Sequence, residues 1–403
     1  MTAFFAQYAD LFIALLKVLA VVIVLLTTVA YLSWFERKVV ARMQSRWGPE
    51  RVGPYGLIQP LADGAKFLFK EDPTPVGVDR VVYVLAPFLA LSLALSTIAV
   101  IPLGPGQLEI FGRRTWFSVA EVDVSLLVVF AITALSVYGV ALAGWASNSK
   151  YPLLGGLRSS AQMLSYEISM TMSVVGIVLV TNTFSLRQIV EGQRGAHGLL
   201  DWFIFPQFLG FVCFAISAVA ETNRAPFDLV EAEQELVGGF HTEYASFKFA
   251  MFFMAEYGAM VTVSLMVSVL FLGGYLSPFP DTPAFHWAYY LPAVSGVVGG
   301  GVLLVNGIRY HTAFGRAVLP VIALVLVGVG VLCALPSVIG VIQGPFWLAL
   351  KVFVLLFTYV WLRGTLPRLR YDQLMNFGWK VLLPVSLANV VITSLIVALR
   401  NKP

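Results

Sequence analysis

The chain is built from repeated, uninterrupted runs of about 20 apolar residues, the length a helix needs to cross the hydrocarbon core of a bilayer. Ten such runs are recognisable, at 11–33, 81–103, 123–146, 161–181, 203–221, 248–275, 288–306, 318–337, 346–363 and 379–399. A helix satisfies its backbone polar groups internally, which is the condition for existing in lipid. The runs are continuous rather than alternating, which argues against a membrane β-barrel. With 12% charged residues, against about 25% in an ordinary soluble domain, the chain has too little polar surface to hide these runs in a soluble core. The expected fold is all-α: a polytopic transmembrane helical bundle of about ten spans, forming one multi-span domain over residues 1–403. The first run is too long for a signal-peptide core and no A-x-A-like cleavage site follows it, so it is read as a retained span. The glycine-rich run 288–306 and run 346–363, which carries Lys351, are the weakest of the ten.

The chemistry such a chain can perform alone is restricted. Its two cysteines, Cys213 and Cys333, lie far apart inside apolar runs, which argues against a disulfide framework, a zinc site and a Cys-ligated iron–sulfur cluster. His197, His241, His286 and His311 all fall in connecting segments, so no histidine pair sits at membrane depth to hold a haem. Neither a Walker P-loop nor a strand–GxGxxG–helix unit is present. A net charge of +4 reflects loop topology and gives no reason to expect a nucleic-acid partner.

Orientation follows from loop charge. Segments 34–80, 147–160, 222–247, 307–317 and 363–380, with Lys248, carry about three times the Lys and Arg of the opposite loops and tails, which makes their side cytoplasmic and places both termini outside. Lys17 and Lys351 lie near outer ends of spans, where a long stem can snorkel to water. Segment 34–80 is the longest and most basic connection. Within 57–70 the apolar residues Ile58, Leu61, Ala62, Ala65, Leu68 and Phe69 fall at helical spacing, with Gln59, Asp63, Lys66 and Lys70 between them. This predicts a short amphipathic helix lying at the membrane interface. Arg37, Lys38, Arg42 and Arg46 read either as a positive-inside anchor or as the lining of an entrance for a ligand with a polar head and a lipid tail.

The acids are concentrated. Six of the 22 lie between residues 221 and 243: Glu221, Asp228, Glu231, Glu233, Glu235 and Glu243, with Arg224 as the one fixed positive charge among them. Glu231 and Glu235 are four apart and Glu221 and Asp228 seven apart, so on a helix each pair shares a face. Carboxylates held close in a shielded site share protons and titrate as a group. Glu167 and Glu256 continue the series inside spans, where ionisable groups are costly and mark proton or ion paths. The plain alternative for each is a protonated or Arg-paired structural acid.

The stretch AETNRAPFDLVEAEQELVGGFHTEYASFKFAMFFMAEY at 220–257 resembles the signature of the quinone-chamber membrane subunit of respiratory complex I, the family of the bacterial NADH:quinone oxidoreductase H subunit and mitochondrial subunit 1. So do ERKVVARMQSRWGPERVGPYGLIQPLADGAKFLFKED at 36–72, GWASNSKYPLLGGLRSSAQMLSYEIS at 144–169 and LKVFVLLFTYVWLRGTLPRLRYDQLMNFGWKVLLP at 350–384, in the same order. The resemblance covers about 10–275 and 345–400. It implies an eight-span core, and a chamber for a lipid-soluble quinone, ubiquinone or menaquinone, whose wall and mouth include Arg37, Arg42, Arg46, Trp47, Asp63 and Lys66, with Arg224 nearby. It implies that Glu167, Glu221, Asp228, Glu231, Glu233, Glu235, Glu243 and Glu256 link this chamber to a proton path. Arg363, Arg368 and Arg370 fall at matching basic positions. No redox centre is expected in the chain; FMN and iron–sulfur clusters are expected on partner subunits. Soluble quinone-site and iron–sulfur subunits on the cytoplasmic side, small membrane subunits alongside, and lipids are the implied partners, in a bacterial inner membrane. The departure is 280–343, which reads as an inserted helical hairpin; an even insertion keeps everything after it on its proper side.

Two other readings share parts of this pattern. An anchor subunit of a related membrane-bound hydrogenase is one, against which the long 36–72 segment and RYDQLM weigh. A stand-alone proton-coupled transporter using Glu167 and Glu256 is the other, and it predicts inverted repeats, of which the two halves show none that convinces.

Overall fold

The computed structural model describes residues 2–110, 113–228 and 238–400. Its elements are α1 (Thr2–Met43), α2 (Gln59–Phe69), α3 (Arg80–Ser96), a hairpin of β1 (Gln107–Ile110) and β2 (Arg113–Trp116), α4 (Ser125–Ala146), α5 (Lys150–Thr181), α6 (Leu186–Glu191), α7 (Phe208–Glu221), α8 (Ser246–Phe271), α9 (Leu291–Ile308), α10 (Ala313–Cys333), α11 (Pro336–Thr365) and α12 (Tyr371–Arg400). Among the described residues nine helices are long and apolar enough to cross a membrane, and α7 is a shorter apolar helix at the place of the fifth expected span. The chain is therefore an all-α polytopic bundle. The antiparallel β-hairpin, in register Gln107↔Trp116, is an addition that the pattern of apolar runs did not foretell.

The bundle is organised around α8. In its most apolar window 78% of residues are buried, against 17% to 44% in the other spans, so α8 is the helix that lipid touches least. It packs on α1, α3, α7 and α11, and α2 lies across its start. The lipid-facing helices display their apolar residues outward, as Leu15, Leu19, Ile23 and Val24 do on α1. In the bilayer, association rests on close packing and internal hydrogen bonds rather than on expulsion of water. Small residues make that packing possible: a Cβ on Gly155 of α5 would come within 2.7 Å of the Gly239 backbone, so the turn Gly239–His241 rests directly on α5.

Several boundaries differ from the sequence expectation for one reason. Apolar runs measure the hydrocarbon thickness, whereas helices continue past it. α1 extends to Met43, so Glu36, Arg37, Lys38 and Arg42 are helical rather than in a loop. α5 starts at Lys150, so Glu167 lies in the middle of a 32-residue helix. The lysines also differ. Lys351 does not reach water: it is buried, donates to the carbonyls of Gly274 (2.8 Å) and Leu276 (2.7 Å), and lies 4.1 Å from the centre of the Trp202 ring. Lys17, about four turns into α1, is held by the carbonyls of Trp116 (2.8 Å) and Ser118 (2.9 Å) beside the β-hairpin. The expected amphipathic helix is α2; none of its residues is fully buried, and Leu61, Leu68 and Phe69 are exposed, as suits a helix lying on the membrane surface.

Candidate functional site: a buried charge cluster and two cavities

α7 stops at Glu221 and the chain turns sharply through 222–228, with Asn223 at φ 50°. The side chain of Gln162 on α5 fastens this turn at both ends, donating to the carbonyls of Ala220 (2.8 Å) and Phe227 (2.9 Å). The turn buries Arg224. Its Nε lies 2.9 Å from Glu256 Oε1 on α8, its Nη1 lies 3.8 Å from Glu36 Oε1 on α1, and its guanidinium stands 4.3 Å from the centre of the Tyr257 ring. Glu36 also accepts from the Tyr257 hydroxyl at 2.7 Å and is paired with Arg363 from the end of α11. Two guanidinium groups and two carboxylates thus neutralise one another where four segments meet. Removing one member of such a buried set leaves its partner uncompensated, at a cost of about 3–5 kcal/mol. At the far end of the turn, Asp228 is buried and paired with Arg368 at 3.0 Å.

On one side of this cluster lies a cavity of about 110 Å³ between α3, α4, α5 and α8. Glu256 and Glu221 both line it, with His241, Asn223 and Thr262. The buried atoms Glu221 Oε2, Asn223 Oδ1 and Thr262 Oγ1 have no hydrogen-bond partner among the described residues. Such atoms are normally satisfied by internal water, and the cavity has room for several molecules. Glu167, on α5, is close enough for its charge to act on Glu221. His241 packs edge-on against Phe240 and Phe249, each at 5.3 Å between ring centres. Burial holds its imidazole below the ordinary value of 6.5, against the opposite pull of Asp228. On the other side of the turn, α7, α8, α11 and the start of α12 border a half-open apolar cavity of about 610 Å³ lined by Phe227, Val267, Leu355, Leu362 and Phe377.

The structure brings together Glu221, Glu256 and Arg224, sets Glu167 within electrostatic reach of Glu221, and pairs Asp228 with Arg368. Glu231, Glu233 and Glu235 lie outside the described residues. Glu221 and Asp228 do not share a helix face as their spacing suggested, because the helix ends between them. Glu243 stands apart from the cavity; its carbonyl accepts from the Tyr83 hydroxyl at 2.7 Å, in a contact that ties the 238–245 segment to α3. In segment 34–80, Arg37 pairs with Asp63 at 2.7 Å and so joins α1 to α2. Arg42 stacks over Trp47 at 4.1 Å, Arg46 donates to Gln44, and Lys66 sits in the last turn of α2. Glu36, Tyr257 and Gln162 are site residues that sequence reasoning missed. For Glu36 a signal existed: a lone acid at the start of a basic stretch. Among the described residues no three His, Cys, Asp or Glu side chains come together as a metal-ligand set.

The model of the NADH dehydrogenase family matches residues 16–394. The chain is 47% identical to the NADH-quinone oxidoreductase H subunit 1 of Solibacter usitatus, over 97% of this chain and 98% of that protein. It is 48% identical to the NADH-quinone oxidoreductase H subunit 2 of Koribacter versatilis, again over 97% and 98%. With the NADH-quinone oxidoreductase H subunit of Thermomicrobium roseum it shares 43% identity over 93% of this chain and 92% of that protein. A family match across nearly every span, together with near full-length similarity to these proteins, shows that the chain belongs to the NADH dehydrogenase family, in the group of NADH-quinone oxidoreductase H subunits.

Proposed function

We propose that this chain is a membrane subunit of a proton-translocating NADH:quinone oxidoreductase, where it helps to form the quinone chamber and connects quinone reduction to proton movement. NADH and quinone enter through the names of its relatives. The central structural support is that Glu256 belongs to two sites at once. Its carboxylate is paired with Arg224 in the charge cluster, and it lines the cavity that holds Glu221. A charge arriving near Glu36, Arg224 or Arg363 shifts the proton affinity of Glu256, and through it the occupancy of Glu221 and Glu167. The apolar cavity beneath Pro226 and Phe227 suits an isoprenoid-type tail, and the charged turn beside it suits the polar head. The quinone itself, ubiquinone or menaquinone, is reduced by electrons from FMN and iron–sulfur clusters on partner subunits; this chain supplies walls, charges and proton sites. The cytoplasmic loops then face the soluble partners, in the bacterial inner membrane.

The test is Glu256→Gln, which preserves size and removes the charge. In membranes containing the intact complex, quinone reduction and proton pumping are expected to fall by about tenfold or more, the scale of losing one charge-assisted hydrogen bond. NADH oxidation by a soluble acceptor persists, because that electron path lies on other chains. Full quinone reduction and full pumping in an assembled Glu256→Gln complex overturn the reading.

A further inference from the structure

The segment read as an insertion, α9 and α10, packs mostly on itself. Gly296 and Gly300 on α9 and Gly330 on α10 let the two backbones touch, since a Cβ on Gly296 would come within 2.8 Å of Gly330. The outer faces, with Val298, Val302, Leu324 and Val325, are exposed and apolar, as lipid requires. At its cytoplasmic tip the hairpin makes a specific polar contact with the rest of the chain. The backbone N–H of Tyr55 donates to the Tyr310 hydroxyl at 2.9 Å, and the two rings meet edge-on at 5.0 Å. The carbonyl of the same Tyr55 accepts from the indole of Trp34 on α1 at 3.1 Å. Both backbone polar groups of Tyr55 are therefore held by aromatic side chains, one from α1 and one from the hairpin.

Tyr55 needs holding. It has φ 53°, and it stands between Gly53 (φ 76°) and Gly56 (φ 72°), so the turn Pro54–Gly56 contains a non-glycine residue in the left-handed region. Such a conformation is strained for a residue with a side chain and persists where its surroundings determine it. The turn leads directly into α2, which has no buried residue of its own. The hairpin tip is itself well fixed. Thr312 caps α10 by accepting from the Gly315 N–H at 3.2 Å, and the Tyr310 ring lies so close over Gly315 that a Cβ there would collide with it.

We infer that the hairpin of α9 and α10 is a clamp, and that Tyr310 is a positioning residue which fixes the Tyr55 turn and, through it, the orientation of α2 at the membrane surface. This rests on the reading of segment 36–72 as the chamber mouth, and it predicts that Tyr310 governs how readily a long-tailed quinone enters.

The experiment uses Tyr310→Phe, which keeps the ring and removes the acceptor, and Tyr310→Ala, which removes both, in membranes with the intact complex. A spin label at Leu61 of α2, an exposed position, reports mobility directly. Tyr310→Phe is expected to raise label mobility and to raise the KM for a long-tailed quinone by about threefold to tenfold, the worth of one hydrogen bond, with kcat unchanged; Tyr310→Ala does so more strongly. Unchanged mobility and KM in both variants overturn the clamp. Arg37→Ala, which cuts the Arg37–Asp63 link between α1 and α2, separates the two readings. If it raises KM while the Tyr310 variants change neither KM nor label mobility, the mouth stands and the clamp falls. If the Tyr310 variants mobilise the label and neither they nor Arg37→Ala change KM, α2 is clamped but is no mouth.

Discussion

The Tyr257 hydroxyl donates to Glu36 Oε2 at 2.7 Å, joining α8 to α1 across 221 positions of sequence. Glu36 is shared between this hydroxyl and two guanidinium groups, so its charge decides how Arg224 divides itself between Glu36 and Glu256. Glu36→Gln therefore acts at a distance. With Glu36 neutral, Arg224 is drawn wholly to Glu256 and holds its negative form more tightly. Quinone reduction coupled to pumping is expected to drop, and the double variant Glu36→Gln with Glu256→Gln to lose less than the two single losses combined, because members of one network couple by about 0.5–3 kcal/mol. Rates normalised to assembled complex check this; strictly additive losses contradict it.

Glu36 also shows where sequence reasoning stopped. The apolar run of α1 ends near residue 33, and everything after it reads as loop charge. Yet ERKVVARM contains no helix breaker and several good helix formers, and it continues the helix. Glu36 is thus delivered inward while its neighbour Arg37 reaches Asp63. Nothing local marks that difference in direction; it comes from which face of α1 meets α8 and α11. α2 was legible within a residue or two, because a one-sided stripe of Leu and Phe between charged residues is a local property. The carboxylate cluster was legible as composition but not as geometry: the helix ends at Glu221, so spacing-based pairing with Asp228 fails and Arg368 takes Asp228 instead. Lys351 misled for a related reason. A lysine in an apolar run suggests snorkelling, but the carbonyls of Gly274 and Leu276, where α8 has ended, give it buried acceptors.

His241 supplies a pH dependence. Its imidazole is held below the ordinary value of 6.5 by burial. In the folded chain it resists protonation, whereas once released it takes a proton at the ordinary value. The unfolded state then binds more protons below about 6.5, so stability rises with pH through the window below that value and is flat above it. For one group the slope is at most about 1.4 kcal/mol per pH unit. Thermal inactivation of the intact complex followed from about pH 5 to 7.5 is expected to show this slope, and His241→Gln to remove its share of it. An unchanged slope in the variant assigns the dependence elsewhere.

Thr262 tests whether the cavity between the acids carries water. Its hydroxyl is buried, has no partner among the described residues, and lines the space shared by Glu221 and Glu256. Thr262→Val is nearly isosteric and deletes only that hydroxyl. No group among the described residues is orphaned by its loss, so assembly is expected to be unaffected. If water bridges the two acids, pumping slows while NADH oxidation by a soluble acceptor is retained. Pumping equal to that of the parent complex argues that protons pass between the acids without this hydroxyl.

The sidedness of the chain can be checked against its own contacts. Tyr310 touches Tyr55, so the tip of the α9–α10 hairpin lies on the same side as segment 34–80. Lys17 binds the backbone at Trp116 and Ser118, so the start of α1 lies on the side of the β-hairpin. The loop-charge rule assigns the first side to the cytoplasm. Cysteines placed at Ser45, Arg309 and Asn376 are then expected to react with an impermeant thiol reagent only from the cytoplasm, and one at Gln107 only from outside. Arg309 is the most informative position, because it lies at the tip of the segment whose span count was weakest in the sequence. Labelling of Arg309→Cys from outside, with Ser45→Cys still cytoplasmic, breaks the Tyr55–Tyr310 contact and the ten-span order together.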